Sequence, residues 1–75
     1  MSYIRKISIG SDYKNAMHYV VGQKIIGDSN EIHEINYNLE KESYRVFIMN
    51  EKQEVTLWKE FTSRVPISIE YNIEF

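Results

Sequence analysis

The stretch VPISIEYNIEF (Val65 to Phe75) alternates without a break: Val65, Ile67, Ile69, Tyr71, Ile73 and Phe75 are apolar, with Pro66, Ser68, Glu70, Asn72 and Glu74 between them. Successive side chains of an extended chain point to opposite faces, so a period of two marks a half-buried β-strand, here running to the last residue of the sequence. Pro66 lacks an amide donor, which suits the start of a strand or an outer edge. Glu70, Asn72 and Glu74 fall on the outer side of that strand, where charge discourages pairing with a wrong neighbour.

Upstream, Glu54 to Phe61 brings Val55 and Leu57 back onto the sheet, after a tight turn at Asn50 to Gln53. Ser43 to Asn50 carries Tyr44, Val46 and Ile48 on one face and Phe47 and Met49 on the other, so it reads as a central, covered strand. Leu39 to Glu42 turns, and Glu31 to Asn38 places Ile35 and Tyr37, with His33, on one face. Gly27, Asp28, Ser29 and Asn30 make the clearest loop. Tyr3 to Ile9 reads as the first strand, ended by Gly10.

Two readings compete for the segment that follows. Ser11 as N-cap with Asp12 in the first turn starts a short helix to about His18, with Tyr13, Ala16, Met17 and Val20 on one face and a short strand after it, within Tyr19 to Gln23. Alternatively Met17, Tyr19 and Val21 alternate as a strand. The first is favoured. The fold expected is a single α+β domain, 1–75, mostly β: a small curved antiparallel sheet or open barrel with one short helix near the N-terminus.

A chain of 75 residues is near the lower size at which a core stands alone, and without cysteine it has neither disulfides nor thiolate metal sites to help. A homo-oligomer is the expected remedy. Nine basic and eleven acidic residues leave a net charge of −2, which argues against coating a long nucleic acid. No apolar run reaches the roughly 18 residues of a membrane span, and Met1 to Lys6 is too short and polar for a signal peptide, so a cytoplasmic location is expected.

Catalytic and metal chemistry find little support in the spacings. His18 and His33 stand fifteen positions apart, without the ligand pairs of a zinc site. A helix at 12–18 would bring Ser11 beside His18 but leave Asp12 elsewhere on the cylinder, whereas a serine triad needs all three groups in sequence. The paired carboxylates, such as Glu31 with Glu34 and Glu40 with Glu42, read as solvated sheet faces. No enzyme activity, cofactor or metal is expected. Gly10-Ser11 before a helix, with Lys14 one turn on, is a minimal anion cradle, fully explained as an N-cap as well. Tyr13, Lys14, Asn15, His18 and Tyr19 nonetheless concentrate stacking rings, a cation and amide groups of the kind that recognise a base with its phosphate. Trp58, the sole tryptophan, has the opposite parity to Val55 and Leu57: it points outward to be covered by a partner or ligand, or a local bulge returns it to the core.

Over SIGSDYKNAMHYVVGQ (Ser8 to Gln23), VTLWKEF (Val55 to Phe61) and VPISIEYNIEF the chain resembles small accessory proteins of tailed phages. That resemblance implies an antagonist of host defence, acting by docking on a host protein or by sequestering a nucleotide signal. The expected function is therefore non-enzymatic sequestration of a small nucleotide, a cyclic oligonucleotide or an ADP-ribose derivative, in pockets between subunits. Tyr13 or Tyr19 would stack on the base, Lys14 with Arg5 or Arg45 would meet phosphate beside Ser11, and Asn15 and His18 would hydrogen-bond. Trp58, Tyr71, Ile73 and Phe75 are the expected interface. The competing expectation is a docking inhibitor that engages a host protein through a sheet edge and Trp58.

Overall fold

A computed structural model describes residues 2–25, 27 and 29–73. Strands β1 (Ser2–Ile9), β2 (Met17–Val20), β3 (Glu31–Asn38), β4 (Ser43–Met49), β5 (Val55–Thr62) and β6 (Pro66–Ile73) form two antiparallel three-stranded sheets, ordered β2-β1-β6 and β3-β4-β5. The mostly β expectation holds, and β4 is central in its sheet. Two sheets stand where a single curved sheet or open barrel was expected, and no α-helix is found among the described residues.

The expected helix from Asp12 to His18 is instead one 3-10 turn, Tyr13–Asn15, and His18 lies in β2. Asp12, not Ser11, is its N-cap: Asp12 Oδ1 accepts from the Asn15 amide at 3.0 Å, and the Asn15 side-chain amide donates to both carboxylate oxygens, at 3.2 and 3.1 Å. A side chain that satisfies the backbone this locally competes with helix propagation, and the chain from Met17 through the β-prone Tyr19 and Val20 is strand instead. Gly10 lets the chain fold back so closely that a Cβ there would lie 2.9 Å from the Ala16 Cα.

The core consists of Ile4, Ile7, Tyr19, Ile32, Ile35 and Val46, with Trp58, Phe61 and Ile69 packed partly against it. Ile4 with Ile7, and Ile32 with Ile35, are three apart and would fall on opposite faces of regular strands. Register shifts bring them together: Ile4 pairs Tyr71 but Lys6 pairs Glu70, leaving Arg5 as the extra residue, and Ile32 pairs Ile48 but Glu34 pairs Phe47, leaving His33. In β5, Lys59 pairs Val46 and Leu57 pairs Phe47, so Trp58 is the extra residue. These bulges overturn two expected faces. His33 is exposed rather than inward with Ile35, and Val55 and Leu57 are outward, 45% and 47% exposed, while Trp58 is half-buried against the Tyr19 ring.

The sheets are joined through the chain that leaves β2. The Val21 amide donates to the Arg5 carbonyl at 2.9 Å, still within the first sheet, and the next amide, of Gly22, donates to the Ile32 carbonyl of the second at 2.8 Å. Gly22 makes that change of partner at φ +94°, a conformation that side chains disfavour. The Ile32 amide donates back to the Gln23 carbonyl at 2.9 Å. The turn at 50–53 matches its expectation: Asn50 Oδ1 accepts from the amides of Lys52 and Glu54, and Gln53 takes φ +64°.

Ile7, fully buried at the centre of this core, is its most sensitive test. Ile7→Ala is expected to cost about 2–5 kcal/mol, a large share of the roughly 4–11 kcal/mol available to a chain of this size. Urea unfolding checks it, and a loss well under about 1 kcal/mol would contradict the packing described.

Candidate functional site

The residues expected to bind a ligand together are divided by the fold. Ser8 pairs His18 and Ile7 pairs Tyr19 across β1 and β2, so the His18 ring lies on the outer face and Tyr19 on the inner one. Outside, the Tyr13 and His18 rings stand 4.9 Å apart, and His18 Nδ1 meets Ser8 Oγ at 2.7 Å. Lys6 Nζ donates to the Tyr13 hydroxyl at 2.8 Å and sits 3.5 Å from Glu70, whose carboxylate also holds the Arg5 guanidinium at 2.6 Å. Arg5 is thus already paired. Arg45 is in the other sheet, its Nε buried without a hydrogen-bond partner.

The Gly10-Ser11 cradle answers itself. Asp12 supplies the anion for the Asn15 amide, and those hydrogen bonds hold its carboxyl below the usual carboxylate range. An incoming phosphate would meet a negative charge there rather than free N–H groups. Ser11 and Lys14 are exposed and line neither of the two hollows described next. Of the expected interface, Tyr71 is 57% exposed, the Ile73 side chain and Phe75 lie outside the described residues, and Trp58 lines a hollow.

That hollow, about 350 Å³, opens beside β2 and the bulge of β5, bordered by Met17, His18, Tyr19, Gln23, Lys24, Ile25, Ile32, Trp58 and Lys59. Tyr19 meets Trp58 edge-on at 5.7 Å and Phe61 at 5.9 Å, which fixes the indole, and Lys59 Nζ rests 4.8 Å from the indole centroid. No carboxylate lines the space, and neither Lys24 nor Lys59 has an ion pair among the described residues. The Gln23 side-chain oxygen accepts from the Val20 amide at 3.2 Å, and its NH₂ donates to no described residue. The arrangement offers a fixed ring, two cations and an amide donor.

A larger hollow of about 630 Å³ opens elsewhere between the sheets, bordered by Tyr3, Ile4, Val21, His33, Glu34, Ile35, Asn36, Tyr37 and Tyr71. Gln23, Lys24, Tyr3, Glu34 and Tyr37 were not expected at any site. Lys59 beside the sole tryptophan was the one legible signal, since a cation next to an aromatic ring often shares its surroundings. Among the described residues no three His, Asp or Glu side chains gather as metal ligands would, and no helix is long and apolar enough to cross a membrane.

No protein family, curated protein or solved structure matches the chain.

The charge cluster on β1 and β6 predicts a pH dependence. Arg5, then Lys6, hold the Glu70 carboxyl below its usual range, so their stabilisation is present at neutral pH and is lost as pH falls through that lowered value. Glu70→Gln removes it, and the stability gap between wild type and variant should close on acidification in urea titrations. A gap unchanged by acid would contradict the pairing.

Proposed function

We propose that this chain is a non-enzymatic binding protein that captures a small anionic molecule of the nucleotide class at the hollow of Trp58, Lys24 and Lys59. The observation that carries the reading is a half-buried indole, fixed by Tyr19, in a space where, among the described residues, two lysines have no ion pair and no carboxylate lines the wall. A planar base stacks on Trp58, contributing about 1–3 kcal/mol. Lys59, now over the ring, turns with Lys24 to the phosphate, and Gln23 donates to the base or sugar edge. Tyr19 and His18 remain from the expected site, Tyr19 as the support of the indole and His18 at the rim.

The non-enzymatic part draws on Ser8. Its hydroxyl contacts His18, yet the residue is 1% exposed, so the pair holds two strands together and offers no nucleophile to a substrate. A space of about 350 Å³ is at the small end of ligand cavities, which run from roughly 300 to 1,000 Å³. A cyclic oligonucleotide or an ADP-ribose derivative would extend beyond it, and a second copy of the chain covering the remainder would make the pocket intersubunit. In a phage setting such capture would remove a host defence signal from the cytoplasm. A second reading, docking on a host protein, draws on Val55 and Leu57, both exposed on the edge strand β5.

Because Trp58 is the sole tryptophan, its fluorescence reports this hollow alone. AMP, ADP-ribose and cyclic di-AMP are the probes. A true ligand changes the emission saturably and, at a hundred times Kd, adds about 2.7 kcal/mol of stability. Lys24→Ala with Lys59→Ala should weaken binding about tenfold or more, as two charge-assisted contacts are lost. No emission change and no thermal shift with any of the three at millimolar concentration would dismiss the nucleotide reading. Light scattering that gives a monomer in the presence of a bound probe would dismiss the intersubunit part alone.

A further inference from the structure

The larger hollow has the opposite character. Its floor is apolar, with Ile4 and Ile35 buried, and its walls carry the phenol rings of Tyr3, Tyr37 and Tyr71, which are 40%, 39% and 57% exposed. Glu34 is the one carboxylate lining it, and neither lysine nor arginine does. Three aromatic rings and a carboxylate that has no ion pair among the described residues, set around an apolar floor, repel phosphate and suit a positive group with alkyl surface. We infer that this cleft binds a small organic ammonium ion.

The groups are held for that task by contacts that leave the charge available. Asn36 Nδ2 donates to Glu34 Oε2 at 2.8 Å, while Glu34 Oε1 bonds no described residue. Asn72 Nδ2 donates to the Tyr3 hydroxyl at 2.6 Å, so the phenol is anchored at its tip across β1 and β6. Tyr37 packs at 4.9 Å against Tyr44, whose hydroxyl is pushed up in pKa by burial and by its neighbours Tyr71 and Tyr37. The rings of the two sheets therefore converge on one cleft, where their faces attract a cation. The His33 bulge sets this wall: by taking the extra position in β3 it lets Ile35 face the floor while Glu34 remains at the rim.

Choline, with 3,3-dimethyl-1-butanol as its uncharged isostere, separates a cation site from a merely greasy one. Tyrosine ring signals followed by NMR should shift saturably with choline, and the alcohol should bind about tenfold more weakly or worse, as the ring attraction acts on the charge. Glu34→Gln and Tyr71→Leu, both at exposed positions, should each lower choline affinity about threefold to tenfold. Lys24→Ala, in the other hollow, should leave it unchanged. Equal binding of choline and the alcohol would overturn the inference, as would choline binding indifferent to both variants, or no saturable shift up to about 100 mM, a concentration beyond any useful cation–aromatic affinity. None of these outcomes depends on whether a nucleotide binds at Trp58.

Discussion

Three of the four extra residues at register shifts, one each in β1, β3 and β5, decide what this small domain can bury and what it can show. A regular strand places residues three apart on opposite faces, which would have split Ile4 from Ile7 and Ile32 from Ile35. A bulge adds one position and restores both pairs to the core, where all four are nearly inaccessible. The residue left over cannot follow the ladder, so it is re-aimed. In each case it is chemically distinctive: Arg5 reaches Glu70, His33 borders the larger hollow and Trp58 the smaller. Core formation and the display of polar or aromatic groups are thus one event in this chain.

The seam at Val21 to Gln23 determines where those groups meet. One amide bonds the first sheet and the next bonds the second, so two sheets of three strands each share a backbone without a long connection. Val21 lines the larger hollow and Gln23 the smaller, which puts the openings to either side of that crossing. Their charges differ because lysines 24 and 59 border one and Glu34 the other. With a net charge of −2 the chain as a whole gives no hint of this separation. It is a property of strand order, not of composition.

Much of the architecture was readable where alternation is strict or a turn has its own chemistry. The run from Pro66 to Ile73 is a strand at the edge of its sheet, as its proline suggests, although a register shift at Ile67 breaks the expected alternation and both Ile67 and Tyr71 are exposed, and Asn50 closes its turn with its own side chain. The faces of β3 and β5 were not readable, because a bulge changes parity without changing any residue type: His33 and Trp58 look like ordinary members of an alternating pattern until the register is known. The helix at Asp12 failed for a local reason. Asp12 and Asn15 satisfy one another within a single turn, and nothing in their spacing distinguishes that closed turn from the first turn of a helix.

The same contrast explains why the richest cluster in the sequence is a poor site and two sparser ones are better. Recognition needs groups that converge on a space and still have hydrogen bonds or charge to give. Tyr13, Asn15 and His18 are neighbours in the chain, and Arg5 was expected to join them, but the first accepts from Lys6, the second is bound to Asp12, the third to Ser8 and the fourth to Glu70. Their capacity is largely spent inside the protein. Lys24, Lys59 and Glu34 are scattered in sequence and carry charge that no ion pair among the described residues consumes, each lining a hollow that aromatic rings also line. A ligand gains most from the groups the fold has left unanswered, and those can be found only after the internal hydrogen bonds have been assigned.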